Sequence, residues 1–295
     1  MFVLYKIELY KIFRKPRTYI SFIAIALVVT LMQLAFKTDG PVLSELLFSG
    51  LKDMFQFDGG NLLNGYFICY MILNMLLIQI PLLVAIVTGD LISGEANMGT
   101  LRLMLTKPSS RNEIMLAKFS AGLTYTLSLL IWMALLSLML SILVFGRDDL
   151  IIGKSYGLVQ MVVDKQGDDV FWRYLCAFAL AFLALGTVAA LSFMLSVFAE
   201  NSLGPIVITM SIIIVFTIIS TMDMPLFKKI NPFLFTSYMT AWKGFFNTAS
   251  EDGSGVSGTI FSLPAILKAA GILLGHILAF LGIAMYAFKR KDIVS

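Results

Sequence analysis

Few residues in this chain could do chemistry, and those few do not converge. One histidine, His276, and two cysteines, Cys69 and Cys176, exhaust the imidazole and thiol donors that hold transition metals. His276 has no acidic or cysteine partner at ligand spacing. Cys69, Met71 and Met75 would make a soft-metal path, but 17 methionines in an apolar chain read first as gap-fillers. There is no HExxH, no GxSxG and no pair of carboxylates inside an apolar stretch. Gly153-Lys154-Ser155 ends like a phosphate-binding loop, yet Asp148 stands where the first glycine belongs and Gly146 comes two residues too early. The chain is therefore predicted to carry no catalytic set, metal, cofactor or nucleotide site of its own, and not to be an enzyme.

The elements that hold these residues explain the scarcity. Of 295 residues, 59% are hydrophobic and 14% charged, where soluble domains carry about 45–50% and about 25%. Six stretches without Asp, Glu, Lys or Arg are long enough for spans at 19–36, 65–89, 119–145, 174–199, 203–222 and 269–288, since roughly 20 helical residues cross a hydrocarbon core. The predicted fold is an all-α, multi-pass membrane protein of six transmembrane helices, with 1–295 as one domain. Both cysteines fall inside spans, so no disulfide framework is expected. A net charge of +4 is too small to suggest nucleic acid.

Basic residues orient the spans. Segments 1–18, 90–118, 200–202 and 289–295 hold twelve Lys/Arg in 57 residues; the opposite segments hold ten in 102. Both termini are predicted cytoplasmic, in the cell (plasma or inner) membrane, with Lys289-Arg290-Lys291 the strongest signal. Residues 2–15 place Phe2, Tyr5, Leu9, Ile12 and Phe13 on one helical face and Glu8, Lys11, Arg14 and Lys15 opposite. That pattern predicts a basic amphipathic helix lying in the headgroup layer, broken by Pro16. Asp39-Gly40-Pro41 reads as the start of a short outer helix. Segment 146–173 is left unassigned. Residues 223–264, punctuated by Pro225 and Pro232, read as a partly re-entrant helical pair before the last span.

No charged residue lies mid-span, and such residues drive self-powered carriers. Energy for any uphill transport is thus expected from outside the bilayer. Gln33, Asn74, Gln79 and His276 read as interhelical hydrogen-bonders.

The 89–118 loop is the most informative segment. Glu95–Leu105 is predicted helical, with Leu101, Met104 and Leu105 on its apolar face. Pro108 ends it, and Ser109 or Ser110 caps the next helix, Glu113 standing at capping-box spacing from Ser110. On physics alone this reads equally as a hairpin connector or as a lever joined to two spans. Gly94-Glu95, Gly99-Thr100, Leu103-x-Leu105-Thr106-x-Pro108-x-Ser110-Arg111, then Ile114 and Lys118, resembles the permease subunits of type-two ABC exporters. The resemblance extends to the amphipathic N-terminal elbow, the six spans, the short Glu200-Asn201-Ser202 connection and the re-entrant helices.

That resemblance implies a cytoplasmic coupling helix docked on a separate ABC ATPase subunit, which would bind ATP and Mg. Leu101, Met104 and Leu105 would enter a groove on the ATPase, with Glu95 and Arg102 at its rim. Gly99, beside Thr100, would permit close approach, and the return through Pro108 to Arg111 would be shaped by Thr106–Ser110. A second permease copy or paralogue would complete the pathway. The apolar interior favours an amphipathic or lipid-like cargo over a hydrated ion. Two other classes stay open: a self-contained secondary carrier, which should show intramembrane charge or an internal repeat, and a non-transporting scaffold or membrane enzyme, the latter needing converging catalytic groups.

Overall fold

The computed structural model describes residues 1–48, 65–101, 109–146, 169–222, 224–246 and 263–291. Every described element is helical. Five helices are long and apolar enough to cross a bilayer, and a sixth joins them when a bent pair counts as one span. This is a multi-pass membrane protein.

Helix α1 (Phe2–Arg14) stops two residues before Pro16, which opens α2 (Pro16–Phe48). Lys15 between them is extended (φ −80°, ψ 132°), the conformation a following proline enforces. The Thr18 hydroxyl donates back to Ile12 O at 2.5 Å and closes the corner. Helix α2 does not restart at Asp39 as the sequence pattern predicts. It runs on through Gly40-Pro41 to Phe48, because a proline removes a single amide donor and flanking turns can carry the helix past it. The rest of the expected outer helix lies outside the described residues.

Helix α3 (Gly65–Thr88) bends by 49° between Gly65–Leu77 and Gln79–Thr88. Pro81 cannot donate to the Leu77 carbonyl, which accounts for a kink here. After α4 (Asp90–Asn97) comes α5 (Arg111–Ala134), a π-helical turn (Leu135–Met139) and α6 (Leu140–Phe145), together one long span. The π turn is where Gln33 of α2 enters: its Nε2 donates to Leu136 O at 3.2 Å and to Ser141 Oγ at 3.0 Å. Gln33 thus makes its expected interhelical bonds, whereas Asn74 and His276 turn back to Tyr70 O and Ile272 O on their own helices.

Helix α7 (Asp169–Phe198) is the hub. Its most apolar window is 72% buried, against 22% for α2 and 17% for both α8 (Leu203–Thr221) and α11 (Leu263–Arg290). Ala177, Ala181, Ala184, Ala189 and Ala190 lie on its buried surface; small residues let neighbouring backbones approach without a hydrophobic drive. Between α8 and α11 come α9 (Pro225–Ile230), a 3₁₀ turn (Asn231–Phe233), α10 (Thr236–Met239) and a 3₁₀ segment (Ala241–Phe246). They fold back so that Trp242 and Phe246 pack against Tyr70 and Tyr174. Gly153-Lys154-Ser155 lies outside the described residues.

Candidate functional site

Helix α4 begins almost without interruption after α3 and is buried over Asp90–Glu95. Its start is held by α7, since the Ser196 hydroxyl oxygen accepts from Ile92 N at 3.2 Å and from Ser93 N at 2.9 Å. Asp90, first residue of α4, favours the positive end of the helix and collects partners from three directions. Lys15 Nζ lies 2.8 Å from Oδ2, Arg17 donates to the same oxygen, and the Ser202 hydroxyl donates to Oδ1. Asp90 therefore ties α4 to the α1–α2 corner and to the α7–α8 connection.

Gly94, one turn on, is dictated by that carboxylate. A Cβ built there would stand 2.6 Å from Asp90 Cγ, closer than non-bonded atoms come. Helix α4 then ends sooner than the sequence predicts. Gly99 adopts φ +69° and its N–H bonds Ala96 O at 3.0 Å, while the Thr100 hydroxyl takes up Glu95 O at 3.3 Å. A left-handed glycine just past a helix terminates it, so the expected Glu95–Leu105 helix is broken at 98–99. Residues 100–101 are helical again. Among the described residues, Asn97, Met98, Gly99 and Thr100 form the exposed tip of α4.

Four charges close a ring beneath this tip. Lys11 Nζ lies 2.8 Å from Glu8 Oε1 and 2.8 Å from Glu95 Oε1. Lys118 Nζ lies 2.8 Å from Glu8 Oε2 and 2.7 Å from Glu95 Oε2, the last an ion pair whose angle falls outside hydrogen-bond geometry. The signs alternate, so the ring is neutral and each charge touches two opposite ones. Side chains of Glu8 and Lys118 are 2% and 1% exposed, that of Lys11 42%. The ring joins α1, α4 and α5.

Burial alone would raise the Glu95 carboxyl, but Lys118 and Lys11 together hold it below its ordinary value. Burial likewise opposes the Lys11 charge, and bonding to Glu8 and Glu95 overrides it and raises that amine. Taking charges out of water costs several kcal/mol each and is offset only when every partner is present. The geometry favours positioning over proton transfer.

The return of the loop is anchored too. Ser110 and Glu113 form the predicted capping box at the start of α5, with Glu113 N donating to Ser110 Oγ at 3.2 Å and Ser110 N to Glu113 Oε2 at 3.1 Å. Arg111 Nη1 reaches the C-terminal carbonyls of α11, at 3.2 Å from Phe288 O, 2.8 Å from Lys289 O and 3.2 Å from Lys291 O. A cation there meets the negative end of the helix.

A family model described as ABC-2 family transporter protein matches residues 2–293, nearly the whole chain. The chain belongs to the ABC-2 transporter family. No curated protein matches it.

In this ABC-2 permease the residues singled out by resemblance fall into three groups. Glu95, Leu101 and Arg111 are engaged within the chain: Glu95 in the ring, Leu101 buried at 3% exposure, Arg111 on the end of α11. Gly99 and Thr100 stand at the exposed tip. Arg102, Met104, Leu105 and Pro108 lie outside the described residues. Sequence reasoning did not single out Met98, 60% exposed at the tip, nor Asp90 and Ser196, and it named Glu8 and Lys118 without their pairing. Glu8 is the clearest correction. The helical wheel turned it toward water, but the structure buries it, because Lys118 supplies a counter-charge from 110 residues away. Asp90 and Lys118, charges abutting the ends of two apolar stretches, were the available signal.

Proposed function

We propose that this permease is the membrane-spanning subunit of an ATP-driven exporter, gripped at the α4 tip by a separate cytoplasmic ATPase. The observation that carries the reading is mechanical. A short helix whose exposed tip presents Met98 among polar neighbours is fastened to four other helices: to α1 and α5 by the charge ring, to α2 by Asp90, and to α7 by Ser196. Force on Met98 would pass to all of them at once. ABC-2 permeases generally work with a cytoplasmic ATPase subunit, and the basic bias of the terminal-side segments supports placing the tip and both termini in the cytoplasm.

In this reading ATP and Mg bind the partner, and the permease needs no cofactor. Nucleotide-driven closure changes which tilt of the spans the partner contacts best, a population shift driven by differential contacts. A second copy or paralogue encloses the pathway, and α1 and the 225–246 turns act as elbow and re-entrant outer helices. The apolar interior supports an amphipathic cargo.

Affinity purification in mild detergent tests the reading. The tagged permease should bring down a soluble ATPase, and Met98→Asp combined with Met104→Asp should release it while the permease stays folded. Retention of the ATPase by that double variant would overturn the docking assignment.

A further inference from the structure

Between the C-terminal ends of α7 and α11 opens a groove of about 510 Å³. Val197 and Phe198 wall it from α7, Ile283 and Tyr286 from α11, and Arg290 and Lys291 stand at one end. Phe198, Tyr286 and Ile283 are 60%, 57% and 48% exposed, so the chain's own helices do not cover these walls. The cations are held in place. The Arg290 guanidinium lies 4.3 Å over the Tyr286 ring, and Lys291 Nζ donates to Val197 O at 2.6 Å, using one of three ammonium donors.

Local charge is net positive. Lys289, Arg290 and Lys291 are consecutive. The Ala199–Ser202 connection, which follows the end of α7 that Lys291 contacts, contributes the single carboxylate Glu200, and Asp292 follows Lys291 in the sequence. The balance stays positive with both acids counted. The groove also sits where two apolar spans give way to charged residues, the level at which headgroup phosphates meet acyl chains.

We infer that this groove binds an acidic phospholipid, with an acyl chain along Phe198, Ile283 and Tyr286 and the phosphate against Arg290 and Lys291. A zwitterionic headgroup brings its own cation to this basic end and gains less there. Because the same end of α11 receives Arg111, and the last turns of α7 hold α4 through Ser196, the lipid braces the helices that carry the loop. The inference rests on the membrane assignment and does not require the ATPase partner.

The full chain carrying Phe198→Trp, reconstituted in phosphatidylcholine vesicles, tests it. Brominated phosphatidylglycerol is compared with brominated phosphatidylcholine at equal mole fraction, and quenching of the parent's native tryptophans is subtracted. The acidic lipid should occupy the site about fivefold more favourably per basic residue engaged, and Arg290→Gln should remove most of that preference while leaving the Lys291 bond to α7. Equal quenching by the two lipids, or a preference unchanged in Arg290→Gln, would overturn the assignment. If Phe198→Trp does not fold, the thermal midpoint of the unaltered chain in detergent serves instead. Phosphatidylglycerol should raise it more than phosphatidylcholine does, with the difference reduced in Arg290→Gln; no difference in the unaltered chain, or one unchanged in Arg290→Gln, overturns the site.

Discussion

Glu8 and Lys118, 110 positions apart in the chain, meet at 2.8 Å with both side chains almost wholly buried. This pair fastens the N-terminal helix to the span that follows the α4 loop. Removing one partner of a buried pair leaves an uncompensated charge, at about 3–5 kcal/mol. Lys118→Met should therefore lower the thermal midpoint in detergent sharply. Glu8→Leu added to Lys118→Met should recover some of that loss but not all, since Lys11 and Glu95 would still lack one partner each. A double variant no more stable than Lys118→Met alone would contradict the pairing.

Glu95 sets a pH dependence. Its folded value lies below the usual glutamate value of 4.5, so its contribution is complete above that pH and disappears as pH falls through the depressed folded value. The parent should be more stable than Glu95→Gln at neutral pH, and the two melting curves should converge on acidification below about 4.5. Lys11 works in the opposite sense. Its raised value means the contribution holds below the usual lysine value of 10.5 and is lost only as alkaline pH passes the folded one. Melting midpoints of the parent and both neutralised variants across pH check each sign.

Two glycines five residues apart should respond for different reasons. Gly99→Ala meets open space, so its cost is the left-handed backbone alone, about 1–2 kcal/mol, and Gly99→Asn should cost less. Gly94→Ala drives a methyl into Asp90 and should in addition loosen the contacts to Lys15, Arg17 and Ser202. Hydrogen exchange of the α4 amides should rise in Gly94→Ala over the whole helix, and in Gly99→Ala only near its end.

Ser196→Ala removes the hydroxyl oxygen that accepts from Ile92 N and Ser93 N, at about 0.5–1.5 kcal/mol for each hydrogen bond lost. Ser196→Thr should retain the acceptor oxygen and much of the stability. If Ser196→Ala melts with the parent, α7 does not hold α4 in this way.

The double substitution at Met98 and Met104 bears on the proposed docking. Binding of a partner ATPase should fall at least tenfold, as loss of one buried apolar anchor of about 1.4 kcal/mol or more implies, with little change in the melting midpoint, because Met98 lies 60% exposed.

Composition and spacing were enough to read an all-helical, multi-pass chain, the break at Pro16, the Ser110–Glu113 capping box and the family, because span length, proline geometry and cap spacing are local properties. The run of α2 past Pro41 and the early end of α4 at Gly99 were not legible. In each a residue tolerates two backbone outcomes, and its surroundings select one. The charge ring needed the fold most of all. Glu8, Lys11, Glu95 and Lys118 are unremarkable one by one, and only the packing of α1 against α5 with α4 between them brings them within 3 Å. A helical wheel knows one helix and water, so it turns a glutamate outward. Tertiary structure supplied the lysine that turns Glu8 inward, since a buried charge is tolerated only where an opposite one is already waiting.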